Sequence, residues 1–491
     1  MKETNLIIEG APALRASSFS LPEAFRLYGV DPDDLKGLAR VALSKGGDYA
    51  DFYFEYSTSD DLMLRDGEVS SVGSHADFGV GVRVLSGEMT GYAYSEKTDI
   101  PSITAAAQMA ASIAQQPKEA VVAEQAVVLE TAQNRYPVVR TWDDYPVLLQ
   151  KEFLKALDEE VRQQDERVLK VVARLAHSCS KIFFYNSEGV MHTDERPMAS
   201  LSLTCIMKQG TRVENFSASR SFRCGSELLT EELRHELARE VVSCCARMME
   251  AEQPTGGVMP VVMGAGGSGI LLHEAMGHAF EADFNRKGTS VFSDKMGKRI
   301  CPEGITVVDD ATLVSNRGSL NFDDEGTPGQ RTVMVDNGIL TSYLHDRISA
   351  KYYGVAPTGN GRRESFRYMP VPRMRATYME SGRVAEADLI RDIKKGIYVD
   401  HFSNGQVQIG VGDFTFYVKS GYMIENGQLT RPIKDTNIIG NGPRVLSDIL
   451  GVADNLKIDN GTWTCGKEQY CAVSCGMPSV LIRQLNVGGS L

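Results

Sequence analysis

No stretch of the 491-residue chain approaches the roughly 18 uninterrupted apolar residues that a bilayer-crossing helix requires. A membrane span is therefore not expected. The opening stretch "MKETNLIIEGAPALRASSFS" has only the apolar run Leu6–Ile8, far short of the core of a secretory signal. A basic excess is also missing: Lys+Arg 52 against Asp+Glu 64 leaves a net charge of −12. Binding to a nucleic-acid backbone rests on clustered Lys and Arg, so nucleic acid is excluded as the expected partner. Low-complexity tracts are absent, which excludes long disorder. The nine cysteines are odd in number and include the adjacent pair Cys244 and Cys245 within a helical pattern. They form no disulfide framework, and free thiols in the reducing cytoplasm are expected. Histidine is scarce as well, eight in all, so two of them within six residues stand out.

What is present is the composition of a globular protein, 42% hydrophobic and 24% charged. The length exceeds one ordinary core. In the first half, helical patterns alternate with strand patterns joined by Asp66-Gly67 and Ser86-Gly87 turns. "VDPDDLKGLARVALSKGG" reads as a helix with Asp31 as its N-cap. Helices are also expected over 101–116, 147–164 and 231–252, with strands around 168–176, 181–185 and 198–208. "EQPTGG", residues 252–257, reads as a linker. Beyond it come strands punctuated by Asn337-Gly338 and Asn426-Gly427, both strong hairpin signals. The expected fold is α+β: an N-terminal helix and antiparallel-sheet domain over 1–253, then a β-rich, barrel-like domain over 254–491.

The second domain opens with "GILLHEAMGHAFEADF", Gly269 to Phe284. Leu272, Met276, Ala279 and Phe280 form an apolar stripe at helical spacing, and a histidine beside such a stripe is commonly a core residue. Here His273 is followed at once by Glu274, and His278 lies five positions on. Residues five apart on a regular α-helix lie about 140° apart, too far round to share an ion. One inserted residue, a π-bulge, returns the second ring to the face of the first. Gly277 is the residue type expected to ease that distortion. With the bulge, two imidazoles, a further ligand and an open position make a zinc site, and Glu274 is placed to serve as general base. The residues alone leave the third ligand open between Glu281 and Cys465. His235-Glu236 in "EELRHELAREV" has no second histidine nearby and reads as structural.

The chain resembles the TldD/PmbA family, in its TldD-like metalloprotease branch. The stretches that carry the resemblance are "FGVGVRVLSGEMTGYAYS", "HEAMGH", "GSLNFDDEGTPGQ", "PTGNGRRES", "NGQVQIGVGDFTF", "YMIENGQLTRPIK" and "CGK". The resemblance implies a zinc peptidase with His273, His278 and Cys465 as ligands and Glu274 as general base. It further implies action on unstructured peptides and a dimer, formed with a TldE/PmbA-like homologue or with a second copy. After "CGK" the chain departs from the family pattern, carrying "EQYCAVSCGMP" with Cys471 and Cys475.

Alternatives come from other classes. A non-catalytic peptide-binding or regulatory protein, gyrase-modulator-like, would hold a structural or empty metal site. "GAGGSG" (Gly264, Gly266, Gly269) fits a dinucleotide fingerprint but lacks the following parallel strand with its acid, so a tight strand-to-helix turn is expected. Dipeptidyl peptidase III shares His-Glu-x-x-Gly-His, without a second matching motif here. "DDEGTPGQ" lacks the ligand alternation of a calcium loop and reads as a turn near the cleft. Arg362 and Arg363 are expected either to meet a peptide carboxylate or to lie in a solvated loop.

Overall fold

The computed structural model describes residues 19–113, 121–130 and 133–489. The run Leu6–Ile8 and the last three positions of the helix expected over 101–116 lie outside these residues. Long strands dominate the first half. Tyr49–Arg65 pairs antiparallel with Glu68–Ser86 and, on its other edge, with Val168–Asn186. The latter continues to Val190–Gln209 and Arg212–Phe222, so one large twisted sheet runs through the N-terminal half. Its hairpins turn where positive φ is needed: Asp66 and Gly67 have φ of 53° and 76°.

Helices cover this sheet with their apolar stripes. Pro32–Leu43 begins at Asp31, whose side chain accepts from the N–H groups of Asp33 and Asp34, and it buries Leu35, Leu38 and Ala42. Val147–Gln164 spans the limits read from its periodicity, and Glu231–Glu250 buries Leu237, Val241 and Cys245. Two strands expected separately, over 168–176 and 181–185, are one strand, Val168–Asn186. Its middle alternates only weakly in hydrophobicity, which made it look interrupted.

The second half is built on a closed ring of strands. Gln428–Asn441, Asp413–Glu425, Lys395–Gln408, Gly257–Met263 and Val480–Val487 pair in that order. The ring closes where Ile438 and Ile439 pair with Val487 and Asn486. Asn426 and Gly427, at φ of 50° and 77°, make the hairpin between two of its strands. A further sheet packs beside it, with Val307–Asp310 and Ala376–Met379 at its centre. The fold is α+β, with a β-rich, barrel-like second half. Among the described residues all nine cysteines are free, and no helix is long and apolar enough to cross a membrane.

Charged residues bind the two halves together. Arg83 of the first sheet is fully buried, bonding Asp51 through Nε at 2.8 Å and Glu325 through Nη1 at 2.5 Å. Arg196 bonds Asp194 and, across to the second half, Asp324 at 2.6 Å. "DDEGTPGQ" makes the expected turn, with Asp323 accepting from the N–H groups of Glu325 and Thr327, but its acidic residues form a buried hub and do not line the cleft. Arg362 and Arg363 depart from both expectations. Arg362 donates to the carbonyls of Met374 and Ala472, and Arg363 to that of Asp324, all away from solvent.

Candidate metal centre

The strand Gly257–Met263 ends inside the molecule and turns at Gly266, whose φ of 92° is left-handed. A short composite helix follows. Residues Ile270–Leu272 are α-helical, His273–Gly277 form a π-turn, and His278–Phe280 a 3₁₀ turn. The widening expected from the five-residue spacing is therefore present at "HEAMG". It brings the two imidazoles onto one face, with ring centroids 5.1 Å apart. Met276 and Phe280 meanwhile stay in the core with Phe414, Phe416 and Val418 of the barrel.

Gly277 serves a purpose other than the expected one. Its φ and ψ of −55° and −53° are ordinary helical values, so the bulge makes no use of glycine's backbone freedom. A Cβ there would overlap the sulfur of Met374. The glycine is needed for close approach.

The third member comes from far along the chain. Residues Thr464–Lys467 and Gln469–Ala472 form a tight antiparallel hairpin, and Cys465 points from it to the histidines. Cys465 Sγ lies 3.2 Å from His278 Nε2, across 187 residues of sequence. Donor atoms of His273, His278 and Cys465 all lie within 4.8 Å of one another, and all three residues are buried. For zinc bonds of about 2.0–2.1 Å to nitrogen and 2.3 Å to sulfur, neighbouring corners of a tetrahedron are about 3.5 Å apart. Two nitrogens and a sulfur at such spacing suit a borderline-soft divalent ion.

Electrostatics at the site are those of a cation pocket. Burial alone would push the Cys465 thiol up, but His273 and His278 outweigh it and bring it down to about 4. Burial likewise opposes charge on His278, yet Glu281 and Cys465 hold its protonation well above the usual imidazole range. A divalent ion would replace such protons directly.

Glu281, the other candidate third ligand, stands on the wrong edge of the ring. Its Oε2 accepts from His278 Nδ1 at 3.0 Å, opposite the nitrogen that faces Cys465. Burial disfavours the Glu281 carboxylate, but Lys467 at 3.0 Å and His278 overcome this and lower its pKa to about 2. Lys467 also donates to Asp283 at 2.8 Å. Arg373, fully buried, lies 3.9 Å from Glu281 and donates to the carbonyls of Cys465 and Gln469. Glu281, Lys467 and Arg373 thus join the helix to the hairpin that carries the cysteine. The sequence singled out none of the three for this role. The residue in "CGK" after the glycine was the one available signal.

Glu274 opens onto a cleft of about 350 Å³, which it lines together with His273, His278, Cys465 and Trp463. Facing them across the cleft are Gly405 and Val407 of the strand Lys395–Gln408. That strand pairs on one edge along its length, but on its other edge with Gly257–Met263 only over Ile397–Val399. Beyond Val399 the second edge has no strand partner among the described residues. His235-Glu236 lies elsewhere, with His235 against Glu160 and Glu236 against Arg220.

Profiles of the PmbA/TldA metallopeptidase domains match this chain in order: domain 1 over residues 50–114, the central domain over 140–244 and the C-terminal domain over 256–489. A Haemophilus influenzae protein named metalloprotease TldD homolog is 38% identical over 449 residues, 90% of this chain and 93% of that one. The chain belongs to the PmbA/TldD metallopeptidase family. A PmbA/TldD relative from Saccharolobus solfataricus, named zinc metalloprotease TldD homolog, is 30% identical over 62% of this chain and 68% of its own. The fold is also that of TldE from Thermococcus kodakarensis, with a TM-score of 0.74 at 19% identity over 93% of this chain and all of that one. A candidate modulator of DNA gyrase from Bacteroides thetaiotaomicron shares it at a TM-score of 0.73 and 19% identity, over 96% of this chain and all of that one. Membership in PmbA/TldD makes this a protein of a peptidase family with a group suited to a metal.

Proposed function

We propose that this protein is a zinc-dependent peptidase that hydrolyses unstructured or extended peptides, with His273, His278 and Cys465 as metal ligands and Glu274 as general base. The observation that carries this reading is the π-turn, which turns five-apart histidines into neighbours and joins them to Cys465. A zinc ion held there supplies Lewis-acid polarisation and lowers the pKa of water toward about 7. Glu274, next in sequence to a ligand but outside the donor cluster, takes the proton from water as it attacks the peptide carbonyl. It then returns that proton to the leaving amine nitrogen. The unpaired edge beyond Val399 offers main-chain donors and acceptors to an extended peptide, which gives binding with little side-chain preference. The reading includes a catalytic unit over 254–491, an N-terminal unit over 1–253, and a dimer formed with a second copy or with a TldE/PmbA-like homologue.

The test measures zinc content and cleavage of an unfolded peptide in parallel, with the homologous partner supplied. Glu274→Gln is expected to retain zinc and lose cleavage by about 10²–10⁴-fold. Cys465→Ser is expected to lose both. Zinc retained in full by Cys465→Ser would remove the cysteine from the ligand set. No cleavage by the parent protein would favour a binding role instead.

A further inference from the structure

The stretch after "CGK" leaves two cysteines without a part in the reaction, and one of them faces a proposed ligand. Cys465 and Cys471 are directly opposite one another in the hairpin Thr464–Ala472. Directly opposite residues of an antiparallel pair project to the same face, with Cα atoms about 4.5–5.5 Å apart. That separation lies within the range of about 4.4–6.8 Å that a disulfide spans. Burial follows the same register: Cys465 and Cys471 turn inward, each 4% exposed, while Tyr470 between them is 65% exposed. Cys475 is placed differently. It sits on the next strand, Ser474–Met477, opposite Thr377 and Asp459.

We propose that Cys465 and Cys471 form a reversible oxidation site for a hydroperoxide, which exchanges a metal ligand for a disulfide. This rests on the reading of Cys465 as a ligand. The cleft of about 350 Å³ that reaches Cys465 gives a small peroxide access. In the first step the Cys465 thiolate attacks a peroxide oxygen; an S–O bond forms and the O–O bond breaks. The departing hydroxide of hydrogen peroxide takes a proton from solvent and leaves as water (an organic hydroperoxide releases its alcohol in the same way). In the second, the Cys471 sulfur attacks the sulfenic sulfur; the S–S bond forms, the S–O bond breaks, and a second water leaves. The two thiols together lose two electrons and the peroxide gains them. A sulfur held in a disulfide no longer offers a thiolate, so the metal is left with two imidazoles and departs.

The zinc-loaded protein is treated with hydrogen peroxide, zinc release is followed with a chromogenic chelator, and disulfides are mapped by mass spectrometry without reduction. The expected result is loss of one zinc per chain in step with a Cys465–Cys471 disulfide, both reversed by dithiothreitol and added zinc. Cys471→Ala, and Cys471→Ser should the alanine variant fold poorly, are expected to stop at a sulfenic acid on Cys465, captured by dimedone. Cys475→Ala is expected to form the same disulfide as the parent. A Cys465–Cys475 link, or no disulfide at all in the parent, would overturn the proposal. Mapping on metal-free protein separates the two readings: a Cys465–Cys471 disulfide in a chain that never binds zinc leaves the oxidation site standing and removes the ligand role.

Discussion

At the scale of single residues, the two histidines of the candidate site differ on their far sides: His273 Nδ1 is buried without a hydrogen-bond partner among the described residues, whereas His278 is held on both edges. His278 presents one nitrogen to Cys465 and gives the other to Glu281. A carboxylate in that place fixes the tautomer and the ring plane and raises ligand basicity. Glu281→Gln keeps the size and removes the charge. It is expected to weaken zinc binding about 10–100-fold, measured by competition with a chelator, while cleavage at saturating zinc changes less. Unchanged zinc affinity would mean that Lys467 and Arg373 alone hold the ring and hairpin in place. Of these residues, His273, Glu274 and His278 could be read from their spacing. Cys465 could be preferred to Glu281 only through resemblance, since nothing in a lone Cys-Gly-Lys reveals what it will meet 187 residues away. Glu281 was noticed for a different reason: its closeness in sequence suggested a ligand, whereas the edge of the ring it occupies depends on the local bend after Phe280.

At the scale of elements, the short helix is a compromise between packing and coordination. Its apolar stripe holds it to the barrel, while the π-turn rotates His278 back towards His273. Gly277 lets Met374 close over the turn. Gly277→Ala is expected to cost about 1–3 kcal/mol by overpacking, seen in denaturant unfolding. Met374→Ala in the same chain should return part of that loss. A Gly277→Ala protein as stable as the parent would show that the helix can shift without penalty. Local elements of this kind were legible because their causes are local: the five-residue spacing, the Asn-Gly turns, the Asp31 cap. The closed ring was less so. Its decisive pairings join Gly257–Met263 to strands beginning at Lys395 and Val480, and such distant partners leave no periodic mark in the sequence.

At the scale of the whole molecule, buried ion pairs set how the halves meet. Arg83 ties Asp51 of the first sheet to Glu325 of the second half. Removing one partner leaves the others charged and unpaired, which costs about 3–5 kcal/mol. Arg83→Ala is accordingly expected to lower stability by that amount, with the loss visible in thermal or urea unfolding. A change below about 1 kcal/mol would mean that water or a rearranged Arg363 takes its place. Charge in "DDEGTPGQ" suggested a turn near the cleft, and charge in "GRRES" a carboxylate contact or a solvated loop, because charged residues are seldom buried unless paired. Glu325 and Asp324 find Arg83 and Arg196 in the other half of the chain, while Arg362 reaches the carbonyl of Ala472 110 residues on, and composition cannot report such partners.

The ring also has a consequence for when the protein can work. Its closing strand, Val480–Val487, and the hairpin bearing Cys465 leave a ribosome long after His273 and His278. Until they arrive, the histidine helix has neither its wall nor its sulfur. On the proposed reading, a chain still being translated would hold an incomplete cutting centre, unable to act on itself or its neighbours until the cysteine hairpin and the closing strand have been made.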